Sequence, residues 1–259
     1  MTFQPKSATI LEGRYEWAQY APHISLASWV SSYWTLTTDG PHVVRTLPDT
    51  CIDLTLNLLP TPRAYIAGAQ TTARRRPNKE RTSLLGARLL PGAAATLGVD
   101  IESLEDGWNR LDLSLPKKVV ARLERAVASA ADVHDRIACL DAFFSERLLN
   151  REIDARLTIA LREVFVRRGD VQMAALARLA GAHPRTLTRL FDRQVGLSPK
   201  RFARIVRLQA ALRALPKTKN WASVAIELGY FDQAHFIRDV RELFGSTPRE
   251  VMRMSKQTR

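Results

Sequence analysis

Two short stretches of this 259-residue chain hold side chains suited to pairing with the edges of bases. In the first, Leu187 and Phe191 stand four residues apart, the spacing of one buried helix face, and this turns Arg185, Thr188, Arg189 and Asp192 outward. In the second, Phe236 and Val240 repeat the spacing and turn Gln233, Ala234, His235 and Arg238 outward. An arginine guanidinium pairs bidentately with guanine O6 and N7, and a glutamine amide does the same with adenine. The methyl groups of threonine and alanine suit contact with the thymine methyl. For His235, a surface imidazole beside a phosphate is nearly as good a reading as a base contact. For Arg189 and Arg238 the alternative is an ordinary solvated arginine. The repetition weakens that alternative, because each arginine lies two residues beyond a buried anchor.

Other chemistries have little to work with. The five histidines, at 23, 42, 134, 183 and 235, are scattered and form no His-x-His pair with a nearby glutamate. No glycine-rich phosphate loop and no Gly-x-Ser-x-Gly elbow occurs. Two cysteines are too few for a disulfide framework or a four-cysteine zinc site, and Cys51 and Cys139 read as core fillers. The expectation is a chain without catalysis, cofactor or metal.

The elements that must position the two stretches follow from the period of the apolar residues. The first 115 residues read as strands and turns. Residues 29–37 are aromatic and β-branched and stop at a Thr-Asp-Gly-Pro turn, while residues 52–58 alternate apolar and polar. A small barrel or sandwich with room for a pocket is the expected result. Asp49 and Asp53 are candidates to line such a pocket, although a turn cap and an outward strand residue are the plainer readings. The basic run at 74–81 reads as a solvated hairpin loop rather than an anion or DNA site. From Lys117 the spacing turns helical, with Val119, Leu123, Ala126 and Val127, then Ile137, Leu140, Phe143 and Phe144, on inner faces. Residues 116–150 are thus expected to form a helical connector that covers the sheet, with a dimer seam as the alternative.

Beyond Arg151 the pattern is helical, broken at Gly169, Gly181, Gly196, Pro216, Gly229 and Gly245. Gly196-Leu-Ser-Pro and Gly245-Ser-Thr-Pro are one device 49 residues apart: glycine closes a helix, and Ser or Thr followed by Pro opens the next. This is an internal duplication of a helix-turn-helix, over 171–193 and 221–243, with Asn220 expected to cap the second copy. Between the copies, Ser198 to Leu215 makes a strut whose apolar face holds Phe202, Ile205, Leu208, Ala211 and Leu212. At 1.5 Å per residue it spans about 27 Å, suited to holding two reading helices roughly one DNA turn apart. Lys200, Arg201, Arg204 and Arg207 lie along it as phosphate contacts or as partners in intramolecular pairs.

Charge supports a polyanionic partner. The net is +13, of which residues 1–150 carry +1 and residues 151–259 carry +12. An anionic lipid surface is the other reading of such a segment. No run approaches the ~18 apolar residues of a membrane span, and the first residues lack a signal core, so the expected compartment is the cytoplasm.

Residues 153–253 resemble the DNA-binding domain of AraC/XylS-type transcriptional regulators. The resemblance rests on LTRLF at 187–191, GLSP at 196–199, RLQA at 207–210, AIELGY at 225–230, DQAHF at 232–236, Arg238 and FGSTP at 244–248. It implies a sequence-specific DNA-binding regulator, an activator of transcription, that inserts two recognition helices into successive major grooves. Arg185, Thr188 and Arg189, then Gln233, Ala234, His235 and Arg238, would meet the DNA. Three features depart from the family pattern. His183 and Phe231 stand where a capping serine is usual, although Asp232 can cap one residue later. Ile237 replaces the usual Ser or Thr, and Val240 the usual Phe, which implies a less tightly packed second unit. The N-terminal half resembles, through LPDTCIDL at 47–54 and PGAAATLGV at 91–99, a β-rich domain attached to one branch of these regulators. The implied partners are promoter or operator DNA, RNA polymerase, a small-molecule effector and a second copy of the chain, but no membrane. The whole is expected to be an α+β protein: a β-barrel-like sensing domain over 1–115, the connector over 116–150, and an all-α DNA-binding domain over 151–259. The competing readings are a small-barrel enzyme fused to a DNA-binding module, and an architectural DNA-binding protein without sequence preference.

Overall fold

A computed structural model describes residues 9–214 and 221–250. Leu215, Pro216 and Asn220, expected at the strut's end and at the cap of the second copy, lie outside the described residues. Strands β1 (Thr9–Glu12), β2 (Glu16–Tyr20), β3 (Val30–Thr38), β4 (His42–Thr46), β5 (Ile52–Asn57), β6 (Arg63–Ala67), β7 (Arg74–Asn78), β8 (Thr82–Leu89) and β9 (Trp108–Arg110) form a small barrel-like unit. One antiparallel sheet has the order β2-β3-β8-β5-β6-β9, and a second the order β1-β4-β7. In β5 the alternation holds: Ile52, Leu54 and Leu56 are buried, while Asp53, Thr55 and Asn57 are half-buried.

A four-residue helix, α1 (Ala93–Thr96), precedes the longer α2 (Lys117–Ser129) and α3 (Val133–Leu148). The last two cover the sheet. Val120, Leu123, Val127, Ile137, Leu140, Phe143 and Phe144 share one core with Leu54, Leu56, Ile66 and Leu85. The buried stripe of α2 runs through Val120, Leu123 and Val127; Val119 is only partly buried and Ala126 is exposed, which corrects the expected face.

The basic run at 74–81 is not a hairpin loop. Arg74–Asn78 is a strand, because β4 offers a free edge and the run pairs along it, Arg75 opposite Arg45 and Arg76 opposite Val44. An edge strand tolerates Arg and Pro that a central one does not.

The rest is helical: α4 (Ala155–Val166), α5 (Met173–Leu179), α6 (Pro184–Val195), α7 (Pro199–Ala214), α8 (Trp221–Glu227) and α9 (Gln233–Phe244). The strut, α7, is buried on more than the one face expected of it, since Ala203, Val206, Gln209 and Ala210 are buried as well. The reason is that it threads two cores. Phe202, Ala203, Ile205 and Val206 pack with α4, α5 and α6, while Leu208, Ala210 and Ala211 pack with α8 and α9. The β-rich unit reaches both cores, through Ala69 in the first and Leu47 in the second. Gln209 Nε2 donates to the Pro48 carbonyl at 3.0 Å, and the Ala73 amide donates to the Leu243 carbonyl at 2.8 Å.

Candidate nucleic-acid interface

The first helix-turn-helix is α5, a turn at Gly181 (φ 62°) and α6. Pro184 opens α6 at a position where a missing amide costs nothing. His183 replaces the usual capping serine and does the same work: its Nδ1 accepts from the Arg185 amide at 3.3 Å. Leu187, Phe191 and Val195 are buried, and Phe191 meets Phe202 of α7 edge-on at 5.6 Å. This fixes the rotation of α6 and leaves Arg185, Thr188 and Arg189 exposed, as the spacing predicts. The Thr188 hydroxyl donates to the Pro184 carbonyl at 3.1 Å, so its methyl and oxygen lone pairs remain for a partner. Asp192 does not face outward. It is half-buried near Glu102 of the β-rich unit, and burial first, then the Glu102 charge, raises its pKa.

The second unit is α8, a turn at Gly229 (φ 74°) and α9. Asp232 caps α9, its Oδ1 accepting from the His235 amide at 2.6 Å. Phe236 and Val240 are fully buried, and Ile237 packs against the same core. The looser packing expected from Ile237 and Val240 is therefore overturned, because Leu208, Ala211, Leu243 and Tyr230 close the space. Gln233, Ala234 and Arg238 are exposed. His235 is half-buried instead, its ring edge-on to Tyr230 at 5.3 Å, so its rim alone is presented. Phe231, which replaces a capping serine and carries no further signal in the sequence, is 90% exposed immediately before the first turn of α9.

Ion pairing separates the arginines. Among the described residues no carboxylate pairs with Arg185, Arg189 or Arg238, whereas those of the strut are engaged. Arg204 reaches Asp239 at 2.7 Å and Glu242 at 2.6 Å, and so ties α9 to α7. Arg201 pairs with Glu105 at 2.6 Å. Arg207 donates to the Gly229 carbonyl at 3.2 Å and lies over the Tyr230 ring. Lys200 is exposed at the start of the strut.

In the β-rich unit Asp49 is the expected turn cap, accepting from the Cys51 amide at 3.1 Å. Burial pushes its carboxyl up to about 7, against the opposing pull of Arg88. Asp53 lies on the strand face opposite the buried Ile52 and Leu54, as the alternation predicts, and there Arg88 grips it through two nitrogens at 3.0 and 2.6 Å. Cys51 is buried, and burial raises its thiol pKa. Cys139 is half-buried. Among the described residues no helix is long and apolar enough to cross a membrane.

Residues 176–254 match a family described as a helix-turn-helix domain, and residues 18–107 match one described as a domain of unknown function. An uncharacterized HTH-type transcriptional regulator of Haemophilus influenzae is 32% identical over 97 residues, covering 37% of this chain and 33% of that protein. The XylDLEGF operon transcriptional activator of Pseudomonas putida is 26% identical over 92 residues, covering 34% of this chain and 29% of that protein. The chain thus matches about a third of the length of these curated relatives. A solved AraC-type transcriptional regulator from Chromobacterium violaceum is 27% identical, with a TM-score of 0.37, over 39% of this chain and 93% of that one.

Proposed function

We infer that the chain belongs to the AraC/XylS-type transcriptional regulators and acts by reading duplex DNA through α6 and α9. The observation that carries this reading is the paired arrangement itself. Two capped helices, each locked by buried aromatic anchors, expose Arg189 and Arg238 with no carboxylate partner among the described residues, and one strut shared by both cores joins them. A recognition helix presents its N-terminal residues to base edges in the major groove, where arginine pairs with guanine and glutamine with adenine. The family match over residues 176–254 and the two regulator relatives support the same reading.

On this account Arg185, Thr188 and Arg189 serve one half-site of a promoter, and Gln233, Ala234, His235 and Arg238 the next. Phe231 stands beside them as an apolar contact. The β-rich unit is regulatory rather than catalytic, a seat for a small-molecule effector or for a second copy of the chain, and the bound protein activates transcription by engaging RNA polymerase. Such a regulator works where the DNA is, in the cytoplasm. Binding of the full chain to promoter fragments, with unrelated DNA as competitor, tests the reading. Retention of a specific complex against a large excess of competitor is the expected result. Equal displacement by any duplex contradicts it and leaves an architectural binder.

A further inference from the structure

We propose that the arginine-rich strand β7 and the turn that follows it form a second DNA contact, a basic rail that grips the phosphate backbone beyond the half-site read by α9. The proposal rests on the DNA-binding reading above and extends it to the β-rich unit.

Residues 74–81 hold five cations, Arg74, Arg75, Arg76, Lys79 and Arg81, against one acid, Glu80. Arg75, Arg76, Lys79 and Arg81 are exposed. Among the described residues the ion pair found here is a long one, Arg75 to Glu12 at 3.5 Å, with both side chains about half exposed. On the neighbouring strand Arg45 stands directly opposite Arg75, a like-charge cross-strand pair of the kind that destabilises a sheet by itself. The Arg45 Nε is buried without a hydrogen-bond partner. Strand alternation turns Arg74 and Arg76 to the face opposite this pair, and Arg76, Lys79 and Arg81 are the exposed cations for which no ion pair is found among the described residues.

Continuity with the second helix-turn-helix fixes which polyanion. The residue before the strand, Ala73, donates its amide to the carbonyl of Leu243 in the last turn of α9 at 2.8 Å, and Ala73 packs against the second core. The strand therefore starts one residue from this contact with α9 and is about 17 Å long over its five residues. At twelve residues α9 is about 18 Å long, more than the ~12 Å width of a major groove. An α9 set across the groove with its first turn on base edges brings its last turn to the backbone. Arginines leaving from that point meet the phosphates flanking the second half-site. Contacts of this kind carry no sequence information. They add affinity and salt dependence, and they hold the β-rich unit against the DNA.

The test uses the full chain and a duplex enriched from a randomised pool, in a short form and in forms lengthened by about ten base pairs, one DNA turn, at either end. The end beside the α9 half-site is identified as the one whose base preference Arg238→Ala relaxes. Lengthening at that end steepens the wild-type log–log salt slope by roughly 2–3, since each phosphate contact contributes about 0.9. The triple variant Arg76→Gln, Lys79→Gln, Arg81→Gln loses the increment and keeps the wild-type slope on the short duplex. A charge-preserving pair, Arg76→Lys with Arg81→Lys, retains the increment and controls for damage to the strand. Equal slopes for the wild type on short and lengthened duplexes, equal gains at both ends, or a triple variant that keeps the increment overturns the proposal. In that case the cations serve only to guard a free sheet edge. Absence of specific binding to the short duplex overturns the regulator reading itself, so the two failures are distinct.

Discussion

Among the described residues Arg189 and Arg238 differ from Arg201 and Arg204 in having no acid to hold them, and the proposed reading role rests on that difference. Arg189→Ala is expected to cost about 1–3 kcal/mol and to relax preference at one base pair. Phe231→Ala is expected to remove a preference for a thymine next to the base pair read by Arg238, because a large apolar ring left 90% exposed at a helix start suits contact with a thymine methyl. Unchanged base preference in a selection from random DNA contradicts either role. Asp49 supplies a prediction of another kind. The folded chain holds its proton more tightly than the unfolded chain does, because its pKa is raised to about 7. The stability it confers is full below about pH 4 and is lost as the pH rises through 7. Asp49→Asn keeps the acceptor for Cys51 and does not titrate. Urea unfolding is therefore expected to show the variant gaining on the wild type across that window, by up to ~1.4 kcal/mol per pH unit. A constant difference contradicts the assignment. The exposure of Arg185, Thr188, Arg189 and Arg238 was visible in the sequence because helix period alone turns them outward. The partial burial of Asp192 and His235 was not, since Glu102, whose charge acts on Asp192, and Tyr230, whose ring meets His235, come from outside their helices.

One side chain of the strut ties it to α9 by charge. Arg204 joins α7 to Asp239 and Glu242 of α9, and Asp239 is buried. Arg204→Ala leaves that carboxylate without its cation. It is expected to destabilise the protein by about 1–3 kcal/mol and to weaken binding at the α9 half-site before that of α6. Thermal unfolding and footprinting check both halves of this expectation; equal loss at both half-sites contradicts it. Gly169 is a second fixed point. It lies at φ 83°, where a Cβ would stand 2.2 Å from the Ala203 carbonyl oxygen of α7. Gly169→Ala must therefore push the strut away from α4 and destabilise the first core, which denaturant unfolding measures. The duplicated Gly-x-[Ser/Thr]-Pro device made helix starts and stops visible in the sequence, because capping is local chemistry. The strand β7 was not visible. Its charged residues show no alternation of apolar and polar, and only the free edge of β4 makes them a strand.

Over the whole molecule, the division into a strand-rich half and a duplicated helical half was written in period and punctuation. The way the halves meet was not. Leu47 and Ala69 enter the helical cores, and Gln209 and Leu243 bond back to the β-rich unit, contacts between residues more than 80 positions apart. Such pairings depend on tertiary geometry that no local pattern encodes. A segment with +12 of the net charge also predicts steep salt dependence, a loss of several orders of magnitude in affinity between 50 and 200 mM salt at about 6–10 phosphate contacts. Selection of the full chain, Arg189→Ala and Arg238→Ala against a randomised duplex pool decides whether one chain reads two successive major grooves with two different helices. Two unlike half-sites about 10–10.5 base pairs apart are expected, with each variant relaxing preference in a different one. Absence of enriched sequence, a single half-site, or both variants relaxing the same base pairs would contradict this expectation.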